Sequence, residues 1–181
     1  MPIIQVGGVH GVGKSTRIEA ASLLTSKEVP VIKGSIIMAR ILGISTEELP
    51  RQSEVDRQYA RELMYREIAD RKNGVRDGHY CVYSETGFEF THNPLDIGVV
   101  AVAVLLTASP ETILGRRNLI DRDRPKDLGH ITEHLQLEHL GAEHAAGLLG
   151  VPLIVIRNEE QDAAIEELAT VFDYYLEPTS V

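Results

Sequence analysis

Cysteine is almost missing from this 181-residue chain: Cys81 is the only one. No internal disulfide can form, and a reducing compartment, the cytoplasm, is the expected location. Positive charge is scarce as well. Eighteen Lys and Arg stand against 27 Asp and Glu, a net charge of −9. Such a chain lacks the basic footprint of a protein that grips nucleic-acid backbones, so no nucleic acid is expected as a partner. Any cationic site must be local, on the scale of a small anionic ligand. The longest apolar run, IGVVAVAVLLTA at 97–108, is too short to span a bilayer and reads as a buried strand, so no membrane is expected either. MPIIQVGG runs straight into a strand with no signal-peptide pattern. Repeats and low-complexity segments are absent.

What remains is an ordinary folding composition, 43% hydrophobic and 25% charged, at a length that fits one α/β domain over 1–181. Short apolar segments alternate with helical patterns. Strands are expected at 3–6, 29–33, near 74–85, at 98–107 and at 152–156. Helices are expected at 14–26, 35–42, 46–72, 110–121, 129–148 and 160–176. The 46–72 reading rests on Val55, Tyr59, Leu63 and Ile68 at helical spacing. Uniformly apolar central strands between helices predict a five-stranded parallel sheet covered on both faces, with ligands at the carboxyl ends of the strands.

One stretch carries specific chemistry. Gly8-Val9-His10-Gly11-Val12-Gly13-Lys14-Ser15 matches G-x-x-x-x-G-K-[ST], after a strand and before a helix. Small residues let the backbone N–H groups turn inward around a phosphate, and the helix N-terminus adds its positive end. Lys14 would reach the β- and γ-phosphates and Ser15 would bind Mg²⁺. The glycine spacing fits small kinases better than switch GTPases, and no [NT]-K-x-D guanine signature occurs. His10 is read as a solvent-facing spacer.

Phosphoryl transfer also needs an acid for the metal, cations for the group in flight and an acceptor site. Asp77, at an apparent strand end before Gly78 and His79, is the best acid. GRRNLIDRDRPKD at 115–127 is the one dense cationic run. Pro125 breaks helix there, so 116–130 reads as a lid that closes over phosphates and excludes water. Arg51 and Arg57 could grip an acceptor phosphate, or could pair, with Arg61 and Arg66, to Glu47, Glu54 and Glu62 on the surface. His130, His134 and Glu138 share a helix face at metal-ligand spacing. With no further ligands nearby, a solvated face is the expectation.

The order of these motifs resembles the archaeal-type adenylate kinases, within the nucleoside monophosphate kinase group. The likeness runs through GVHGVGKST and through KGSIIMARILG, in place of the family's acceptor segment. It continues through EELPRQ, through RDGHYCV where the family reads Asp-Thr-His, and through RDRPKD ahead of ITEHLQLEH. The resemblance implies a P-loop kinase fold and transfer from ATP·Mg²⁺ to AMP. It implies that Gly8, Gly11, Val12, Gly13, Lys14, Ser15 and Thr16 bind the ATP phosphates. Gly34, Ser35 and Arg51 would line the acceptor site, within a helical part at 34–72, with His79 beside it. Asp77 would position Mg²⁺ with Ser15. Arg117, Arg122 and Arg124 would belong to the adenine contact and the lid, and Lys14, Asp77, Arg122 and Arg124 would carry catalysis. The family includes trimers, so a homo-oligomer is also implied. Where the family ends its lid helix in Asn-Arg, this chain reads Glu138-His139. That leaves two other readings open: a kinase of another small substrate, and a nucleotide-binding regulatory protein without transfer.

Overall fold

The computed structural model describes residues 3–71, 73–84, 87–91, 93–119 and 124–177. The chain begins in β1 (Ile3–Gly7), crosses the glycine loop into α1 (Lys14–Leu24), and returns through β2 (Val31–Lys33) directly into α2 (Gly34–Leu42). A 3-10 turn (Leu49–Arg51) leads to α3 (Glu54–Ala69) and then β3 (Gly74–Asp77). A small antiparallel hairpin follows, β4 (Cys81–Ser84) with β5 (Gly87–Phe90). After a second 3-10 turn (Pro94–Asp96) come β6 (Val100–Thr107), α4 (Pro110–Asn118), α5 (Leu128–Leu149), β7 (Leu153–Arg157) and α6 (Gln161–Tyr175).

The main sheet has the order β2-β3-β1-β6-β7, every pairing parallel. Alternate residues along its strands point to opposite faces. On one face Ile4, Val6, Val75, Val102, Val104 and Leu106 meet Ile18 and Ala21 of α1 and Leu168 and Phe172 of α6. On the other, Ile3, Ile32 and Val100 pack with Ile37 of α2 and with Met64 and Ile68 of α3. Ala103 and Leu105 meet Ala142, Ala145 and Ala146 of α5 on that same side. Each fully buried Ile, Leu or Phe here contributes roughly 1.5–3 kcal/mol. The expected α/β architecture, a five-stranded parallel sheet with helices on both faces, is the observed one.

Three expectations change. The helix expected over 46–72 is two pieces, because Pro50 sits in the 3-10 turn, Gln52 is extended and Ser53 starts α3 afresh, its Oγ accepting from Asp56 N at 3.1 Å. The segment 74–85 is a central strand plus the first strand of a hairpin that strand spacing did not reveal. Of the expected lid, 120–123 lies outside the described residues. Its flanks are the end of α4 and the start of α5, where Asp127 accepts from His130 N at 2.8 Å. No helix is long and apolar enough to cross a membrane among the described residues.

The parallel register brings the carboxyl ends of all five strands to one edge: Val6 and Lys33 both pair Asp77, and Thr107 pairs Arg157. The glycine loop leaves β1 there, α2 starts there and Asp77 ends β3 there.

Candidate active site

The glycine loop is shaped by backbone conformations that only glycine adopts freely. Gly8 has φ 146° and Gly13 has φ 97°, and a Cβ on Gly8 would lie 2.5 Å from the Leu106 carbonyl oxygen. Gly13 precedes α1, whose N-terminus has no side-chain cap and no acidic residue in its first turn. By contrast α3, α4 and α5 are capped by Ser53, Ser109 and Asp127. The uncapped N–H groups of α1 thus stand ready for an anion.

Side chains from three elements brace the loop. The Val12 carbonyl accepts from Asn158 Nδ2 at 2.6 Å and from Arg116 at 2.8 Å. Asn158, fully buried after β7, accepts in turn from Arg17 Nε at 2.8 Å through Oδ1 and from Arg116 at 2.7 Å through its carbonyl. Arg117, buried at the end of α4, donates to the His10 carbonyl at 2.9 Å and to the Pro125 carbonyl at 2.6 Å. Nothing in the spacing of the sequence marks Asn158, which lies 141 residues from its partner Arg17.

Lys14 is buried and donates to the Gly8 carbonyl. Burial pushes its ammonium down to about 8, while Asp77 and Glu138 support the charge. Ser15 and Thr16 are exposed at the loop's open side. Ser15 Oγ donates to Asp77 Oδ2 at 2.6 Å, so the two residues expected to share a metal are adjacent. A hydroxyl and a carboxylate are hard oxygen donors of the kind Mg²⁺ takes, usually alongside several waters. No cluster of three or more His, Cys, Asp or Glu able to hold a metal occurs among the described residues.

Two cavities open on this edge. One, of about 540 Å³, runs along the loop past Gly11, Gly13, Thr16, Arg116 and Arg117. The other, of about 520 Å³, lies against α2, α3 and β3. It has a polar flank at Lys33, Gly34, Ser35, Asp77 and His79, an apolar wall that includes Met38, Leu49 and Met64, and a floor at Arg76. His10, Lys14, Ser15 and Arg124 line both. The N-terminus of α2, at Gly34, likewise has no side-chain cap and no acid in its first turn.

The expected acceptor residues separate. Gly34, Ser35 and His79 line the second cavity, whereas Arg51 is exposed on the 3-10 turn and is not among its lining residues. Arg61, on α3, lines it instead. It lies 3.9 Å from Glu54, which Arg57 pairs more closely at 2.6 Å. Of the expected catalytic arginines, Arg124 lies between the two cavities and Arg122 is outside the described residues.

The histidines differ from expectation. His10 is not a spacer in solvent: its ring packs against that of His79, tilted at 60° with centroids 4.1 Å apart, and burial, with Arg124 and Lys14, pushes it down to about 2. His79 is lowered by the same causes, so both stay neutral in the ordinary pH range. His134 and Glu138 are buried rather than on a solvated face. His134 Nε2 lies 3.2 Å from the Cys81 carbonyl, and Glu138 accepts backbone N–H groups from Gly8, Tyr80 and Cys81.

No protein-family model matches the chain, and no curated protein matches it significantly. Solved structures do match over nearly its whole length. A shikimate kinase from Bacteroides thetaiotaomicron is 18% identical, with a TM-score of 0.58 over 95% of this chain and 98% of that one. A gluconokinase from Sinorhizobium meliloti is 20% identical, with a TM-score of 0.55 over 94% and 90%. The YorR protein of Bacillus subtilis, in complex with phosphorylated GDP, is 18% identical, with a TM-score of 0.64 over 95% and 94%. At these identities the likeness is one of fold, and it agrees with the parallel sheet and the glycine loop: the chain has the P-loop kinase fold.

Proposed function

We propose that this protein transfers a phosphoryl group from ATP to a small anionic acceptor, with a nucleoside monophosphate, AMP first, as the favoured acceptor. The observation that carries this reading is the meeting of the two cavities at Lys14, Ser15, His10 and Arg124. A nucleotide hydrolase needs one cavity; transfer needs two that share a reacting point. The second cavity is cationic in a chain of net charge −9. Lys14, Lys33, Arg61, Arg76 and Arg124 line it against Asp77 and Asp96, and the uncapped start of α2 opens into it at Gly34 and Ser35. That combination supports an acceptor carrying negative charge.

In this reading the loop from Gly8 to Thr16 holds the ATP phosphates with its N–H groups, and Arg117 and Arg116 hold the loop. Mg²⁺, held by Ser15 and Asp77, would neutralise charge building on the phosphates. Lys14 exchanges the Gly8 carbonyl for a phosphate oxygen. Gly34, Ser35 and Arg61 orient the acceptor's anionic group, with His79 at its side. Arg124 supplies charge between donor and acceptor, and the 116–130 segment, Arg122 included, excludes water over the site.

The position of Arg51 favours a second reading, an acceptor with a different or no phosphate, as in the shikimate and gluconate kinases that share the fold. A screen of acceptor-dependent ADP formation over AMP, CMP, UMP, GMP, dTMP and unphosphorylated nucleosides separates the two. The expected result is ADP formation with AMP, abolished by chelating Mg²⁺ and reduced at least about 100-fold by Lys14→Ala. ATP binding with no acceptor-dependent turnover across nucleotides, sugar acids and hydroxy acids would leave a nucleotide-binding regulator.

A further inference from the structure

Among the buried ionisable side chains to which the transfer scheme gives no task, one is a carboxyl group on α5. Glu138, in the middle of α5, is 1% exposed. A carboxylate survives there only if its oxygens are satisfied, and three backbone N–H groups satisfy it. Gly8 and Tyr80 donate to Oε1 at 2.7 and 2.9 Å, and Cys81 donates to Oε2 at 2.7 Å.

These donors belong to two different segments. Gly8 opens the glycine loop, while Tyr80 and Cys81 directly follow Asp77, Gly78 and His79. The ladder between β1 and β3 runs out at this point. Its last link is Gly78 N to the Val6 carbonyl, 3.0 Å, after which the loop turns toward α1 and the other segment turns toward the hairpin. Backbone can no longer bond to backbone across the gap, and the two oxygens of one carboxylate do so instead. Glu138 also contributes negative charge among Lys14, His10, His79, His134 and Arg124. Lys14, Arg124 and other histidines all weigh on His79, and Asp77 and Glu138 oppose in part the lowering that burial imposes on Lys14.

We propose that Glu138 is a positioning residue: its carboxylate clamps the start of the donor loop to the segment carrying Asp77 and His79, and so sets donor and acceptor groups in line. The kinetic part of this rests on the phosphoryl-transfer reading above; the clamp itself does not. Replacing the carboxylate by an amide of the same shape puts an NH₂ where a second acceptor stood, so at least one N–H donor loses its partner.

The test compares wild type, Glu138→Gln, Glu138→Asp and, as a control on the exposed side of the same helix, Glu143→Gln. In Glu138→Gln the amide resonances of Gly8, Tyr80 and Cys81 move together. Affinity for ADP changes less than about threefold and kcat falls at least tenfold. Glu138→Asp keeps both acceptor oxygens with a shorter reach, so it restores kcat only in part; it also serves as the folded comparison if the amide variant does not fold. Unmoved Gly8 and Tyr80 amides, or a kcat loss that merely follows the folded fraction, would overturn the proposal. A wild type that turns over no acceptor would defeat the kinase reading instead, and the amide shifts would still decide the clamp.

Discussion

Arg76 is a charge placed where a strand in mid-sheet ought to have none, and the consequence can be measured. It is 8% exposed, pairing β3 to its surroundings through three bonds. NH1 and NH2 donate to the two oxygens of Asp96 at 2.6 and 2.8 Å, and Nε donates to Gln5 Oε1. The guanidinium also lies 5.4 Å from the centre of the Tyr65 ring. Asp96 is itself only 2% exposed. Removing one partner of a buried pair typically costs about 3–5 kcal/mol, because the other charge is left unpaired. Both residues line the second cavity, so water can reach a stranded guanidinium. The lower end of that range, about 3 kcal/mol, is therefore expected for Asp96→Ala. For a chain of this size that lowers Tm by roughly 6–12 °C. Arg76→Met, which strands the aspartate, should cost a similar amount. The double variant Arg76→Met/Asp96→Leu replaces both charges by apolar groups of comparable size and should fall within about 1 kcal/mol of wild type. The cycle then gives a coupling of several kcal/mol, far outside the additivity expected of independent sites. Urea denaturation of the ligand-free protein, with midpoints and slopes compared, is the assay. A loss under about 1 kcal/mol for Asp96→Ala, or a double variant equal to the sum of the singles, would refute the argument.

Two further tests bear on the donor site. Lys14, pushed down to about 8 by burial, is charged below that pH and neutral above it, so nucleotide affinity should decline from pH 8 upward, where an ordinary lysine would hold it flat to about 10. Titration of ADP between pH 7 and 9.5 reads this, Lys14→Arg should remove the decline, and a flat wild-type profile would exclude the shifted ammonium. Asn158→Ala deletes the donor to the Val12 carbonyl and leaves Arg17 Nε without its acceptor. One neutral and one charge-assisted bond together predict a loss of about 3 kcal/mol, with weakened nucleotide binding as Gly13 loses its neighbour. Chemical denaturation and the same ADP titration measure both, and a loss below about 1 kcal/mol would show that Arg116 alone braces the loop.

The donor half of the site was readable from sequence because its signal is contiguous. Gly8 to Ser15 is a run whose spacing follows from how backbone wraps a phosphate, and the strand and helix on either side are ordinary hydrophobic patterns. Ser15 and Asp77 could be matched across 62 residues because the glycine loop leaves one strand's carboxyl end and Asp77 ends another, and the fold class itself brings such ends together. The acceptor half was read less well for the same reason in reverse. Arg51 and Arg61 both lie in charged chain that reads as one helix in the sequence, and the break at Pro50 and the restart at Ser53 leave Arg51 on the 3-10 turn and put Arg61 inside α3, where it lines the cavity.

Arg76 and Glu138 made the sequence look weaker than the fold is, and one physical cause accounts for both. Pattern reading equates polar with exposed. Arg76 therefore gives β3 no sign of being central, and the face of His134 and Glu138 reads as solvated. In each case the polar group is buried because its partners arrive from far along the chain: Asp96 and Gln5 for Arg76, and Gly8, Tyr80 and Cys81 for Glu138. Burying such groups is costly in a core that could be apolar, so their presence calls for a local reason. Both stand at the carboxyl edge of β1 and β3, where two strands part to make room for two cavities. At that edge the ladder stops and the Glu138 carboxylate accepts N–H groups that an apolar side chain could not satisfy, whereas Arg76, a donor only, lies in the ladder just before it and is paired with Asp96 where the second cavity opens. The irregularities that hid these residues from sequence reading are thus consequences of opening the sheet edge for a site, and the clamp and ion-pair variants test that cause directly.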